Sequence, residues 1–310
     1  MMPDGGMAGM KLELIQVEKR FGDKEVLQGI GLRVESGQSL GLLGRNGAGK
    51  TTTLRIVMDV FPADGGQVLL DGRPFRREDH RIGYLPEERG LYPKRLILDQ
   101  LAYLGTLRGL AGARAREEAK KWLARMELAD YANKKVDTLS KGNQQKIQLA
   151  VAMLGEPQIV ILDEPFSGLD PVNAMLLKDI VRECIAEGKI VLFSSHQMNY
   201  VEEFCQDIVI LNQGRIVLDT AIAAHKRSYD RRHILVDVAP GEEEKALAFL
   251  KAKGLRAEIA GDTLHLNVHA AEETLPILAA MVGESIAVEG YRVFEPSLND
   301  IFVEYTGEAV

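Results

Sequence analysis

The chain is short of cysteine, of tryptophan and of long apolar runs. Its 310 residues include two cysteines and one tryptophan, and aromatic residues make up 6%. Cys184 and Cys205 have no partner spacing. That argues against a disulfide framework or a cysteine metal site and leaves reduced thiols of a cytosolic protein as the expectation. No uninterrupted apolar run approaches the roughly 20 residues needed to cross a bilayer. If the chain serves a membrane, another chain does the crossing. The opening segment MMPDGGMAGM lacks the basic and apolar stretches of a secretory signal, and residues 1–10 read as a flexible extension. Positive charge is also scarce. Lys and Arg total 38 against 45 Asp and Glu, a formal net charge of −7. This argues against nucleic acid as a partner bound through a broad basic face.

What remains is ordinary for a chain that buries a core, with 46% hydrophobic and 27% charged residues. The length suits one large or two ordinary domains. KLELIQVE alternates apolar and polar residues as a half-buried strand does. SLGLLG, QIVILD, KIVLFSS and DIVIL are short apolar runs, suited to strands buried on both faces. Helical patterns lie between them. One spans residues 114–128, with Ala115, Ala119, Trp122, Leu123 and Met126 at helical spacing and Trp122 read as a core residue. Strands alternating with helices predict a mainly parallel α/β sheet for residues 11–228. Residues 91–155 read almost wholly helical, as a separate subdomain. A polar, basic stretch over 220–232 reads as a linker. Residues 229–310 then follow the order β-α-β-β-α-β, with SLNDIFVEY as a last short helix, and predict a small α+β domain of ferredoxin-like type.

GRNGAGKT, residues 44–51, fits G-x-x-x-x-G-K-[ST] between an apolar strand and a helical run. The glycines let backbone wrap a phosphate chain, and the exposed N–H groups and helix N-terminus attract negative charge. Lys50 is placed to reach the β- and γ-phosphates of ATP, and the Thr51 hydroxyl to meet Mg2+. IVILDEP puts Asp163 and Glu164 at the end of a buried strand, where open α/β sheets bind ligands. Asp163 suits a metal ion held through water, and Glu164 suits activation of a water for attack on the γ-phosphate. VLFSSH ends another apolar strand in His196, which either bonds the γ-phosphate or caps the strand.

Together these motifs resemble the ATP-binding cassette (ABC) ATPases over roughly residues 11–225. In order they are GRNGAGKTT, the signature-like LSKGNQQ, ILDEP, the turn SGLD with Asp170, and SSH. The resemblance implies a P-loop NTPase of ABC type with ATP and Mg2+ as ligands. It implies nucleotide binding by Gly44, Arg45, Asn46, Gly47, Ala48, Gly49, Lys50, Thr51, Thr52 and Asp170. It implies metal binding by Thr51 and Asp163, and catalysis by Glu164 as base with His196 sensing the γ-phosphate. Phe21 sits where the family stacks an aromatic on adenine, and a core aromatic is the competing reading. In this family the signature closes over ATP held by a second subunit, so Ser140 and Gly142 would complete a neighbour's site in a head-to-tail homodimer or paired-subunit dimer. Ser140 suits a helix N-cap, and Ile147, Ala150, Val151 and Leu154 share the face of the helix that follows.

Two departures stand out. The family's usual LSGGQ is LSKGN here, with Lys141 and Asn143 substituted. The residue after Tyr84-Leu85-Pro86 is usually glutamine and is Glu87 here, leaving its approach to Mg2+ open. YLPEERGLY, the helical lobe and the tail EPSLNDIF resemble ATPase subunits of ABC-2-type bacterial exporters, including the sodium-efflux type. That implies a cytoplasmic chain, peripheral on the membrane, driving separate permease subunits. Three alternatives compete. A ribosome-acting cassette usually carries two cassettes per chain, whereas this one has a single phosphate loop. A DNA-repair cassette inserts a long module between loop and signature. A regulatory nucleotide-binding module has no need of Glu164. His265 and His269, four apart, read as a solvated strand face rather than a metal site. The cargo is not legible.

Overall fold

The computed structural model describes residues 9–88, 90–166, 169, 171–229 and 231–307. It divides into two compact units. One gathers the described residues through Ile222 and those from Leu298 on; the other is Ala223–Ser297.

In the first unit, β1 (Lys11–Phe21) and β2 (Lys24–Glu35) form an antiparallel hairpin closed by Gly22 and Asp23. Gly22, at φ 59°, supplies the left-handed backbone that a two-residue hairpin turn needs. The alternation of β1 is interrupted by a bulge between Leu14 and Val17, which keeps both side chains buried. The chain continues through β3 (Ser39–Leu43), α1 (Lys50–Val57), β4 (Gly65–Leu70), β5 (Arg73–Pro74) and β6 (Ile82–Leu85). Three helices follow, α2 (Ile97–Leu107), α3 (Gly112–Arg125) and α4 (Lys141–Met153). The rest of the first segment is β7 (Ile159–Asp163), α5 (Pro171–Ala186), β8 (Ile190–Ser195), α6 (Met198–Phe204), β9 (Asp207–Asn212) and β10 (Arg215–Ala221), with α7 (Ile222–Ser228) leading onward.

Two sheets result. An antiparallel sheet has the order β2-β1-β4-β5. A six-stranded sheet has the order β10-β9-β3-β8-β7-β6, parallel except for the β9–β10 pair. Every residue of β3, β7 and β8 is buried, which explains their uninterrupted apolar runs. Leu40 and Leu42 of β3 join Leu12, Leu14 and Ile30 of the hairpin and Leu54 and Val57 of α1 in one core. That core fixes the carboxyl ends of β3, β7 and β8 side by side.

Helices α2, α3 and α4 pack on one another within the first unit. In α3, Ala115, Ala119 and Leu123 are buried at a spacing of four. Trp122 is only half-buried.

In the second unit, β11 (His233–Val238), α8 (Glu243–Ala252), β12 (Arg256–Ala260), β13 (Thr263–Asn267), α9 (Thr274–Gly283) and β14 (Val288–Val293) repeat the predicted order. The sheet order β12-β13-β11-β14, all antiparallel, is that of a ferredoxin-like unit. Ile234, Val236, Leu264 and Leu266 bury one face beneath Ala246 and Leu250 of α8 and Leu278 and Met281 of α9. The expectation for His265 and His269 needs correction. β13 ends at Asn267, so His269 lies beyond the strand. His265 Nδ1 instead meets His233 Nε2 at 3.2 Å across the sheet.

The last helix, α10 (Leu298–Thr306), departs from the reading of residues 229–310 as one domain. It belongs to the first unit, against α6, β9 and β10. Leu298, Ile301 and Phe302 are buried there at i, i+3 and i+4, and the Leu298 N–H donates to Glu202 Oε2 at 3.3 Å. Helical spacing shows that a stripe must be covered; it does not say by what. Phe302, 1% exposed, should matter to the cassette rather than to the second unit. Phe302→Ala is expected to destabilise the first unit by about 3–5 kcal/mol, the usual cost of emptying a buried phenylalanine site. Denaturant unfolding followed at Trp122, which lies in that unit, measures it.

Candidate functional site

The phosphate-loop sequence joins β3 to α1. Gly49 is the N-cap of α1 at φ 115°. A Cβ there would lie 2.6 Å from Leu27 Cδ2 and 3.2 Å from the Val26 carbonyl oxygen. Glycine is therefore required both for the backbone angle and for the close approach of the β2 strand. Gly47, at φ 83°, has open space where its Cβ would be. The Ala48 N–H donates to the Arg45 carbonyl (3.0 Å) and the Gly214 N–H to the Ala48 carbonyl (3.1 Å), tying the loop to the β9–β10 turn. Lys50 is 6% exposed and donates from Nζ to the Gly44 carbonyl at 2.6 Å.

At the end of β7, Asp163 and Glu164 are 1% and 4% exposed. Glu164 has φ 49°, a left-handed conformation rare for a side chain of this kind. Its N–H donates to the Ser194 carbonyl at 3.0 Å, so the neighbouring strand holds the strained backbone in place. Ser194 Oγ donates to Asp163 Oδ1, and Tyr84 OH approaches Asp163 Oδ2 at 3.5 Å. Burial pushes the Asp163 carboxyl above its ordinary range, while hydrogen bonds from Ser194 and Thr51 pull it back. Burial, and then the Asp163 charge, push the Tyr84 phenol up to about 12. His196, 48% exposed at its side chain, places Nδ1 2.9 Å from Glu164 Oε2. Glu164 Oε1 is buried with no hydrogen-bond partner among the described residues, and Lys50 Nζ lies 3.8 Å from it.

One cleft of about 390 Å³ is formed by Lys24, Val26, Arg45, Asn46, Gly47, Gly49, Lys50, Thr51, Thr52, Glu87, Asp163 and Glu164; His196 and Phe21 are not among its lining residues. Most of the sequence-predicted loop residues, both acids and Glu87 are thus brought together. Gly44 and Ala48 act through their carbonyls, as noted. Lys24 and Val26 escape the sequence reading because only the hairpin carries them over the loop. Phe21, at the hairpin end, is 48% exposed and meets Phe61 edge-on with ring centroids 5.3 Å apart. Lys19 Nζ, bonded to Asp64 Oδ1 at 2.8 Å, lies 5.5 Å from the Phe21 ring. Asp170 lies outside the described residues.

Ser140 and Gly142 do not line the cleft. Ser140 caps α4, accepting from the Asn143 N–H at 3.3 Å. Gln144 Nε2 donates to the Leu139 carbonyl at 3.0 Å, and buried Gln145 donates to the Pro165 carbonyl at 3.2 Å. The second bond ties the signature helix to the loop just after the acids, a link the sequence does not reveal. The helix start is exposed at Ser140 and Lys141, so its donors can meet a ligand held by another molecule.

The donor set fits a magnesium nucleotide. Backbone N–H groups and an ammonium suit phosphate oxygens, and a hydroxyl beside a buried carboxylate suits a hard cation that keeps its waters. A nine-tenths-buried carboxylate oxygen without a donor suits proton acceptance.

Comparisons with known proteins agree with this chemistry. Residues 27–167 match the ABC transporter family model, and residues 225–306 match the C-terminal domain of DrrA1-3-like ATP-binding proteins. The chain is 41% identical to the Bacillus subtilis ABC transporter ATP-binding protein YhaQ, across 96% of this chain and 98% of that one. It is 32% identical to the Nod factor export ATP-binding protein I of Burkholderia lata, across 96% and 97%. Among solved structures it resembles an ATP-binding subunit of an ABC transporter, with TM-score 0.64 and 28% identity over 70% of this chain and 92% of that one. It also shares its fold with a dimeric, post-hydrolysis ATP-binding cassette bound to ADP and Pi, with TM-score 0.62 and 24% identity over 68% and 98%. With 41% identity sustained along nearly its whole length, and with a phosphate cradle and paired acids meeting in one cleft, the chain belongs to the ATP-binding proteins of ABC transporters.

Proposed function

We propose that the chain is the ATP-hydrolysing subunit of an ABC-2-type exporter. It works as a head-to-tail homodimer, or paired with a second ATPase subunit, on the cytoplasmic face of the membrane and drives separate permease chains. The observation that carries this is the meeting of Lys50, Thr51, Asp163 and Glu164 in one cleft. The export names of relatives such as the Nod factor and linearmycin-resistance proteins support the direction of transport.

In this reading, N–H groups of residues 45–52 and the Lys50 ammonium bind the phosphate chain, and Phe21 offers a ring face to the base. Thr51 and Asp163 would hold Mg2+, which supplies charge neutralisation on the phosphates. Glu87 also lines the cleft and would add a charge beside that ion. Glu164 Oε1 takes the proton of the attacking water, and His196 holds the other carboxylate oxygen through Nδ1. Ser140 and Gly142 of the second subunit close the site from outside, so ATP holds the two chains together and hydrolysis releases them. Charge spread over the γ-phosphoryl oxygens makes this a matter of positioning and electrostatics rather than covalent chemistry.

Among the described residues no helix is long and apolar enough to cross a membrane. The face that fits a permease is on the helical lobe. Tyr92 (57% exposed), Leu96 (37%), Tyr103 (53%) and Leu107 (66%) are large apolar residues left exposed there. Leu96, Tyr103 and Leu107 follow helical spacing. A hollow of about 460 Å³ opens between Tyr92, Arg95, Asp99, Gln100 and Tyr103. An aromatic at the centre of such an interface typically carries at least about 2 kcal/mol. Tyr103→Asp is therefore expected to move the chain from the membrane fraction of its own cell to the soluble fraction with its melting temperature retained. A variant that stays membrane-bound would defeat this docking face.

A further inference from the structure

β8 ends in two adjacent serines that are sealed from solvent, Ser194 at 0% and Ser195 at 1% exposure. Their hydroxyls serve different acids. Ser194 Oγ donates to Asp163 Oδ1, and Ser195 Oγ donates to Glu164 Oε2 at 3.2 Å. Glu164 Oε2 also receives the His196 backbone N–H at 3.3 Å and faces His196 Nδ1 at 2.9 Å. Its other oxygen, Oε1, receives no hydrogen bond among the described residues. The terminal torsion of a glutamate is soft, so nothing intrinsic decides which oxygen points where. Here two donors and the His196 ring crowd onto Oε2, and Oε1, with only the Lys50 ammonium facing it at 3.8 Å, is left without a hydrogen bond among the described residues. Asp163 is divided in the same way. Oδ1 is held by Ser194, Oδ2 has Tyr84 OH at 3.5 Å, and the Thr51 hydroxyl, on the cleft side, also bonds this carboxyl.

We propose that Ser194 and Ser195 are positioning residues, one for each carboxylate. Ser195 turns Glu164 so that Oε1 alone is presented to the attacking water. Ser194 turns Asp163 so that Oδ2 is presented to the cation. The two hydroxyls thus separate the roles of two adjacent acids that leave the same strand end. This inference rests on the reading of Asp163 as the metal residue and Glu164 as the base.

The test uses the full chain with Ser194→Ala, Ser195→Ala and the two threonine variants. ATP turnover is measured against ATP and against Mg2+, and melting temperature is measured alongside. Ser195→Ala is expected to lower kcat about tenfold with KM and half-saturating Mg2+ unmoved, as befits loss of a hydrogen bond to a charged group. Ser195→Thr restores most of the rate. Ser194→Ala is expected to raise half-saturating Mg2+ about tenfold, the usual cost of losing a bond to a metal-binding carboxylate. The same shift appears without turnover, as weaker Mg2+-dependent ATP binding by calorimetry when Ser194→Ala is placed in a Glu164→Gln background. Wild-type kinetics in both alanine variants would overturn the inference, as would the same mixed loss of rate and Mg2+ affinity in each. Full turnover in Glu164→Gln would instead overturn the reading of the base itself. Loss of turnover there beside normal serine variants would sink only the division of labour.

Discussion

Glu164→Gln is expected to lose ATP turnover by about a thousandfold, within the range usual for removing a positioned general base. The amide keeps the size of the carboxylate and can still accept from Ser195, so the β7–β8 contact survives. What disappears is the basic Oε1, buried and without a donor among the described residues. ATP binding should persist, because the phosphate contacts belong to the loop and to Lys50. With ATP bound and not consumed, the proposed composite site stays closed, and mass in solution should double on adding Mg·ATP. A variant that is inactive and remains monomeric would separate the two ideas. Glu164 would keep its role, while Lys141, Asn143 or Glu87 would have weakened closure, or the permease would be needed to bring the halves together. A variant that still turns over would remove Glu164 as the base.

The second large effect is a complementation. Lys50→Ala should abolish turnover by removing the ammonium from the phosphate cradle. Gly142→Asp should abolish it by placing a like charge before the γ-phosphate of the neighbour's ATP. In a head-to-tail dimer each site takes its loop from one chain and its signature from the other. A mixed dimer of the two variants therefore carries one doubly damaged site and one intact site. Random mixing makes half of the dimers hybrid, so roughly a quarter of wild-type turnover should return. Steady-state ATPase on the mixed proteins against each alone measures this. No recovery, with hybrid dimers demonstrated by differential tagging, would rule out independent composite sites.

Exposure at the two motifs suits the proposed dimer. Lys50, Asp163 and Glu164 are buried at one cleft. The start of α4 is exposed and absent from that cleft, yet Gln145 ties it to the loop that carries the acids. In the proposed dimer one cassette would offer two half-sites, linked by the Gln145–Pro165 hydrogen bond.

Local features of the sequence carried far into the structure. The phosphate loop was legible because its glycines answer a local requirement, the φ of 115° at Gly49 being one that few other residues adopt. The buried strands were legible because parallel strands covered on both faces must be apolar throughout, as β3, β7 and β8 are. The ferredoxin-like order was legible because its two helices and four strands alternate with clear periods. Other features depended on contacts between distant segments. Lys24 and Val26 reach the cleft only because the β1–β2 hairpin folds over the loop. Serines 194 and 195 look like ordinary strand-end residues until β7 and β8 lie side by side in register, with Asp163 opposite Ser194.

By itself, then, the sequence determined the kind of chemistry and the class of fold, because both follow from residue type and spacing along a few local segments. Tertiary structure alone decided which carboxylate oxygen is left without a donor among the described residues, that α10 returns to the first unit, and that Ser140 and Gly142 stand outside the lining of their own cleft. Those are outcomes of burial and hydrogen bonding between segments distant in the chain, where competition among many apolar stripes and many donors, rather than any local pattern, selects the partner.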